Sequence, residues 1–141
     1  DQALNIFPSE QTTYDYVDVQ GELLYQVQRL HPKSFRQRRP DNNGAWIYNL
    51  KGVPTLPYLL PALLSDQQGT IFIVEGEKCA DELSRLGLLA TTNSGGAGNW
   101  KPILNHHFQG RDVVIVPDND AAGRTHAQRV AQNLFGVAKK I

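Results

Sequence analysis

The chain has 141 residues, and its 14 Lys plus Arg balance 14 Asp plus Glu, so net charge selects no class of partner. A single cysteine, Cys79, excludes an internal disulfide framework and a cysteine-rich zinc site. No apolar stretch approaches the roughly 20 residues that cross a bilayer and no signal peptide is visible, so a soluble, cytoplasmic protein without a membrane partner is expected. Methionine is absent even at position 1, which predicts a piece of a longer polypeptide.

Residues 1–13 read as a polar lead-in or linker. From Tyr14 the pattern alternates. Leu23, Tyr25 and Val27 share one strand face and Gln26 and Gln28 the other, with Gly21 turning the chain from the preceding segment Tyr14–Val19. Phe35–Arg39 alternates again, Pro40-Asp41-Asn42-Asn43-Gly44 is a turn signal, and Trp46, Tyr48 and Leu50 form the next one-sided face. An antiparallel meander over 14–50 is expected, then a proline-punctuated connector to residue 68 with a short helix at Ala62–Ser65.

Residues 69–141 change to strand–helix alternation, an α/β pattern with a parallel sheet. A strand over 70–75 precedes a helix over about 77–86, whose stripe of Cys79, Leu83 and Leu86 makes Cys79 a small buried hydrophobe. Gly87 is placed as the helix C-terminal cap. Further strands are predicted at Leu88–Thr92 and Asp112–Pro117, a short helix at Trp100–His107, and a long helix over about 121–135 with Ala127, Val130, Ala131 and Leu134 inward. Val137–Ile141 reads as the start of another strand.

Two acidic clusters follow apolar strands: Glu75-Gly76-Glu77 after Thr70–Val74, and Asp118-Asn119-Asp120 after Val113–Pro117. Ligands of open α/β sheets bind beyond the carboxyl ends of the strands. Two aspartates one residue apart in extended backbone lie about 6–7 Å apart on one side, a spacing that suits two carboxylates on one cation. Glu75 can complete the site from the neighbouring strand, and a divalent ion such as Mg2+ relieves the repulsion among the three acids. Gly76 and Gly123 permit close approach or serve helix entry, Gly95-Gly96 can offer amides to phosphate or act as plain connection, and Lys78 can pair with Glu75, meet phosphate or be solvated.

Arg29, Lys33, Arg36, Arg38 and Arg39 fall in a stretch without acids and near Tyr25, Phe35 and Trp46. That composition suits single-stranded nucleic acid or a triphosphate, or else a solvated strand face. His106-His107 are adjacent and read as a surface helix end, while His31 and His126 carry no visible constellation.

The strings Ile73-Val74-Glu75-Gly76-Glu77-Lys78-Cys79-Ala80-Asp81-Glu82-Leu83, Gly95-Gly96 and Val116-Pro117-Asp118-Asn119-Asp120-Ala121-Ala122-Gly123-Arg124 resemble the Toprim domain, in particular that of phage- and plasmid-type DNA primases and primase-helicases. The segment Tyr14–Leu50, with Lys33 to Pro40, is similar to what precedes Toprim in those proteins. The resemblance implies a Rossmann-like parallel sheet with flanking helices over 69–141, truncated at its C-terminal side, after a basic antiparallel subdomain over 14–68. It implies Mg2+ or Mn2+ at Asp118 and Asp120, with Glu75 as a further metal ligand or general acid/base, and Gly76, Glu77, Gly95, Gly96 and Gly123 in support. Primer synthesis on single-stranded DNA from nucleoside triphosphates is the implied activity, with Lys33, Arg36, Arg38 and Lys78 holding template or nucleotide and a replicative helicase domain or subunit as partner. The competing expectations are a Toprim nuclease and a non-catalytic nucleic-acid-binding module.

Overall fold

The computed structural model of the chain describes residues 9–141; most of the predicted lead-in, residues 1–8, lies outside the described residues. Four strands, β1 (Ser9–Val17), β2 (Leu23–His31), β3 (Ser34–Pro40) and β4 (Trp46–Ile47), pair antiparallel in sequence order. The expected meander is present, with β1 starting at Ser9 rather than Tyr14. Gly21 turns β1 into β2 at φ 85°, where Asp18 Oδ1 accepts the Gln20 and Glu22 N–H groups at 2.9 and 3.0 Å.

Alternation places Tyr14, Tyr16, Tyr25 and Val27 on one buried face. Cross-strand register adds a row Thr12–Arg29–Phe35 to that face, beyond the tyrosines. Gln28 lies on the other face as expected but is fully buried, with Arg36 Nε donating to its Oε1 at 2.6 Å. The expected strand through Trp46, Tyr48 and Leu50 shrinks to Trp46–Ile47, and Tyr48 instead lies beneath the Arg36 guanidinium.

The second half contains α1 (Leu60–Ser65), β5 (Ile71–Val74), α2 (Glu77–Arg85), β6 (Leu89–Thr91), a 3-10 helix at Pro102–Phe108, β7 (Val113–Val116) and α3 (Ala121–Leu134). Its three strands form a parallel sheet in the order β6-β5-β7. One sheet face buries Ile71, Ile73 and Val113 against Leu63 of α1, Trp100, Leu104 and Phe108 around the 3-10 helix, and Val130 and Leu134 of α3. On the other side Val74, Ala90 and Ala80 of α2 join Tyr14, Tyr16, Tyr25, Val27 and Tyr58. The antiparallel sheet is therefore seated on the α2 side of the parallel sheet through a tyrosine cluster. Tyr16 stacks on Tyr25 with ring centroids 4.6 Å apart.

Gly87 caps α2 as expected, at φ 86°, with its N–H on the Ser84 carbonyl and the Leu88 N–H on the Leu83 carbonyl, the paired bonds of a Schellman ending. The inward face of α2 differs from the expected stripe. Glu77 and Ala80 are buried, whereas Cys79 is exposed and Leu86 is 76% exposed. Two periodicities compete in this helix, and docking of the tyrosine face selects the one containing Glu77. Between Trp100 and His107 the expected helix is a 3-10 turn shifted to Pro102–Phe108, opened by Pro102 and by the Leu104 N–H on the Lys101 carbonyl. The predicted final strand is a single parallel bridge between Lys140 and Asp112 beside β7.

Candidate active site

β5 and β7 are neighbours in the sheet, with Val74 opposite Val116. From β5 the chain forms β6 on one side and then returns to build β7 on the other. The space beyond the carboxyl ends of β5 and β7 is thus a topological switch point, where side chains from two loops can converge without crossing a strand. Glu75 emerges directly after β5 and Asp118 two residues after β7.

The Asp118 backbone N–H donates to Glu75 Oε2 at 3.1 Å. Glu75 Oε1 is buried and has no hydrogen-bond partner. Partial burial raises the Glu75 pKa; the Asp118 side chain and the Asp120 charge push in the same direction, while the Asp118 N–H opposes them. Asp120 is the N-cap of α3, its Oδ1 accepting the Gly123 N–H at 2.6 Å. Gly123 lets this turn close: a Cβ there would lie 2.5 Å from the Asp118 carbonyl and 3.0 Å from Asp120 Oδ1. At Gly76, backbone conformation selects glycine instead, since φ is 83° and no atom lies within 4 Å of a Cβ.

Glu75, Asp118 and Asp120 line one cleft of about 440 Å³, whose other walls include Lys33, Phe35, Arg29, Lys78 and Gly96. Cys79 lines it too, and partial burial together with the nearby Asp118 charge raises its thiol pKa. Among the described residues, no three His, Cys, Asp or Glu side chains form a ready-made metal cage. Lys78 makes no ion pair with Glu75. Glu77 turns toward the antiparallel sheet, where its Oε1 accepts the Tyr16 hydroxyl at 2.8 Å. A parallel bond joins Tyr58 to Asp81 Oδ1 at 2.9 Å.

The basic residues divide between two faces. Lys33 sits in the β2–β3 turn and reaches the acidic cleft. Arg36 and Arg38 have their side chains on the outer face of β3, where their guanidinium carbons lie 4.7 Å over Tyr48 and 3.9 Å over Trp46. Arg38 Nε also donates to Gln26 Oε1 at 2.7 Å. Arg29 shares the cleft-facing row with Phe35, and its Nε is buried without a partner. Strand parity in the sequence separates Arg29 from Arg36 and Arg38, but the inward face emerges only once the tyrosines are seen to dock.

The glycine loop is held from behind. The Gly98 N–H donates to His126 Nδ1 at 2.9 Å, and His126 Nε2 pairs with Asn93 Oδ1 at 3.1 Å. Asn93 Nδ2 in turn donates to the Gly96 carbonyl at 3.0 Å, and Arg129 Nη1 to the Gly98 carbonyl at 3.1 Å. A neutral His126 with its proton on Nε2 satisfies both contacts. Burial, and secondarily Arg129, lower its pKa accordingly. His126 carries no sequence signal because its partners come from a loop far along the chain.

The chain matches no protein-family profile. No curated protein sequence matches it either. Solved structures do match in shape. The primase fragment of the bacteriophage T7 primase-helicase superposes with a TM-score of 0.58 at 19% identity, covering 91% of this chain and 51% of that one. Primase domains in a bacteriophage T7 lagging-strand DNA polymerase complex, bound to an RNA/DNA hybrid and dTTP, give 0.57 at 20% identity, covering 86% of this chain and 59% of theirs. The fold is phage primase-like. The chain spans between half and three-fifths of the length of these structures.

Proposed function

We propose that the chain is the catalytic-core portion of a DNA primase, a basic antiparallel unit seated on a Toprim domain, making primers on single-stranded DNA from nucleoside triphosphates. One observation carries the reading: Glu75 and Asp118 meet at the switch point of the parallel sheet, with one Glu75 oxygen buried and unpartnered. The donor set fits magnesium or manganese. Such ions take one or two carboxylates and complete their shell with water and substrate phosphate, so an open arrangement suffices. Asp118 would hold the ion, with Asp120 contributing the oxygen not used in its cap and Glu75 acting either as a further ligand or as a general base. A bound divalent ion supplies charge neutralisation at the reacting phosphate.

The chain's own residues supply the rest. As general base, Glu75 would take the proton of an attacking 3′-hydroxyl. Lys33, Lys78 and Arg29 line the same cleft as positive charges for substrate phosphates. Gly95 and Gly96, in the loop pinned by Asn93 and His126, line a neighbouring cleft with Phe35 and Lys101 and would offer amides to phosphate there. Arg36 and Arg38, backed by Tyr48 and Trp46, form an outer platform for template. A replicative helicase domain or subunit is the proposed partner and the cytoplasm the proposed compartment; no helix among the described residues is long and apolar enough to cross a membrane. The test is template-dependent primer synthesis by the full-length parent carrying Asp118→Asn. Loss of synthesis with retained folding supports the proposal, and undiminished synthesis refutes it.

A further inference from the structure

A second pocket of about 400 Å³ lies on the flank of α2, lined by Thr12, Tyr14, Arg29, Lys78, Asp81 and Arg85. It shares Tyr14, Arg29 and Lys78 with the acidic cleft, so the two are continuous around the first turn of α2. Lys78, Asp81 and Arg85 recur at the spacing that aligns side chains along one helix flank. Arg29 comes from β2 opposite Thr12 of β1 and faces that flank across the groove.

Three cations meet one carboxylate here, and among the described residues none of the three forms an ion pair. The single acid, Asp81, is engaged, its Oδ1 accepting the Tyr58 hydroxyl. The Arg29 Nε–H is buried without an acceptor. A buried guanidinium N–H left unpaired is disfavoured, and an anion entering from solvent would supply the missing acceptor. Guanidinium groups bind phosphate oxygens with matched geometry, and a lysine adds a point charge. Since the whole chain has no net charge, this concentration of positive charge is local rather than a consequence of composition.

We propose that Arg29, Lys78 and Arg85 form a phosphate-binding pocket that extends the acidic cleft along α2. The polyanion's identity rests on the primase reading: it is either a polyphosphate tail or the backbone of a nucleic-acid strand leaving the cleft. The pocket itself does not rest on that reading, because it needs no metal and no turnover.

The test titrates inorganic tripolyphosphate, and separately a short oligothymidylate, into the full chain by calorimetry without divalent metal. Arg85→Gln and Arg29→Gln are expected to weaken binding of at least one probe about tenfold. Because binding is read without divalent metal and without turnover, its outcome is separable from failure of the catalytic proposal. The paired change Lys139→Gln and Lys140→Gln, at exposed positions near the β7 edge, controls for overall charge. Selective loss of tripolyphosphate assigns the pocket to a polyphosphate tail, and selective loss of oligothymidylate to a strand backbone. Binding equal in all variants, or weakened as much by the Lys139 and Lys140 changes, overturns the proposal. Exposed Arg85 can be replaced without opening the core, so an Arg29→Gln folding defect would leave Arg85→Gln decisive.

Discussion

Replacing Tyr16 by Phe tests how the antiparallel sheet is fastened to the helix that follows Glu75. The Tyr16 hydroxyl donates to Glu77 Oε1 at 2.8 Å, and both side chains are buried. Phe keeps the ring contacts with Tyr25 and Tyr58, so the change removes little but the hydrogen bond. A hydrogen bond to a charged group contributes about 1.5–3 kcal/mol, and its loss leaves a buried carboxylate oxygen without its donor. We expect a destabilisation of about 2 kcal/mol, or roughly 6–8 °C in midpoint for a chain of this size. Urea denaturation followed by tryptophan fluorescence measures it.

The defect should also depend on pH. Burial raises the Glu77 pKa above its ordinary 4.5, and the Tyr16 bond holds that rise in check. A carboxyl with a raised native pKa takes up its proton in the folded state first, so stability declines as pH rises through the native value. Without the Tyr16 bond the native value rises further, and the gap between variant and wild type widens with pH above 4.5. A destabilisation below about 0.5 kcal/mol, or one independent of pH, would refute the reasoning.

Three other outcomes are expected. Gly123→Ala drives a Cβ against the Asp118 carbonyl and should cost about 1–3 kcal/mol while weakening Mn2+ binding, measured by thermal melting and by manganese electron paramagnetic resonance. Because the His126 pKa is lowered on folding, the unfolded chain binds more protons below the ordinary histidine value of 6.5, and stability should fall as pH drops through that range. His107, lowered to about 4 by burial and by His106, acts in the same direction, so the difference in melting between wild type and His126→Gln isolates the Gly98 pin. Trp46→Ala removes the ring beneath Arg38 and should weaken single-stranded oligonucleotide binding by about 1 kcal/mol or more; unchanged affinity would return this face to a purely structural role.

Much of the fold was legible because period and punctuation are local properties. Alternation at Leu23–Val27, the turn at Pro40–Gly44 and the β-branched runs before Glu75 and Asp118 all sit on the elements they predicted. The Gly87 cap was equally local, since the reversal needs a left-handed residue. The errors occur where two local patterns compete. Cys79 and Leu86 lie on a plausible apolar stripe of α2, yet Ala80 and Glu77 face inward because hydroxyls from β1 and the Tyr58 segment reach that side. Likewise Trp46, Tyr48 and Leu50 read as one face of a strand, but that strand ends at Ile47, and Trp46 and Tyr48 lie under arginines on the outer face.

By itself, the sequence determined that acids follow two apolar strands, that arginines and lysines cluster upstream, and that the chain passes from a meander to strand–helix alternation. Only the tertiary structure decided that β5 and β7 are neighbours, which places Glu75 against the Asp118 amide and leaves one of its oxygens buried and unpaired. It also decided which cations meet those acids. Parity along β2 and β3 separates Arg29 from Arg36 and Arg38, but the face that becomes the cleft is set by the tyrosines that dock on α2. Strand order and sheet docking depend on contacts between residues far apart in the chain, and no local period encodes them.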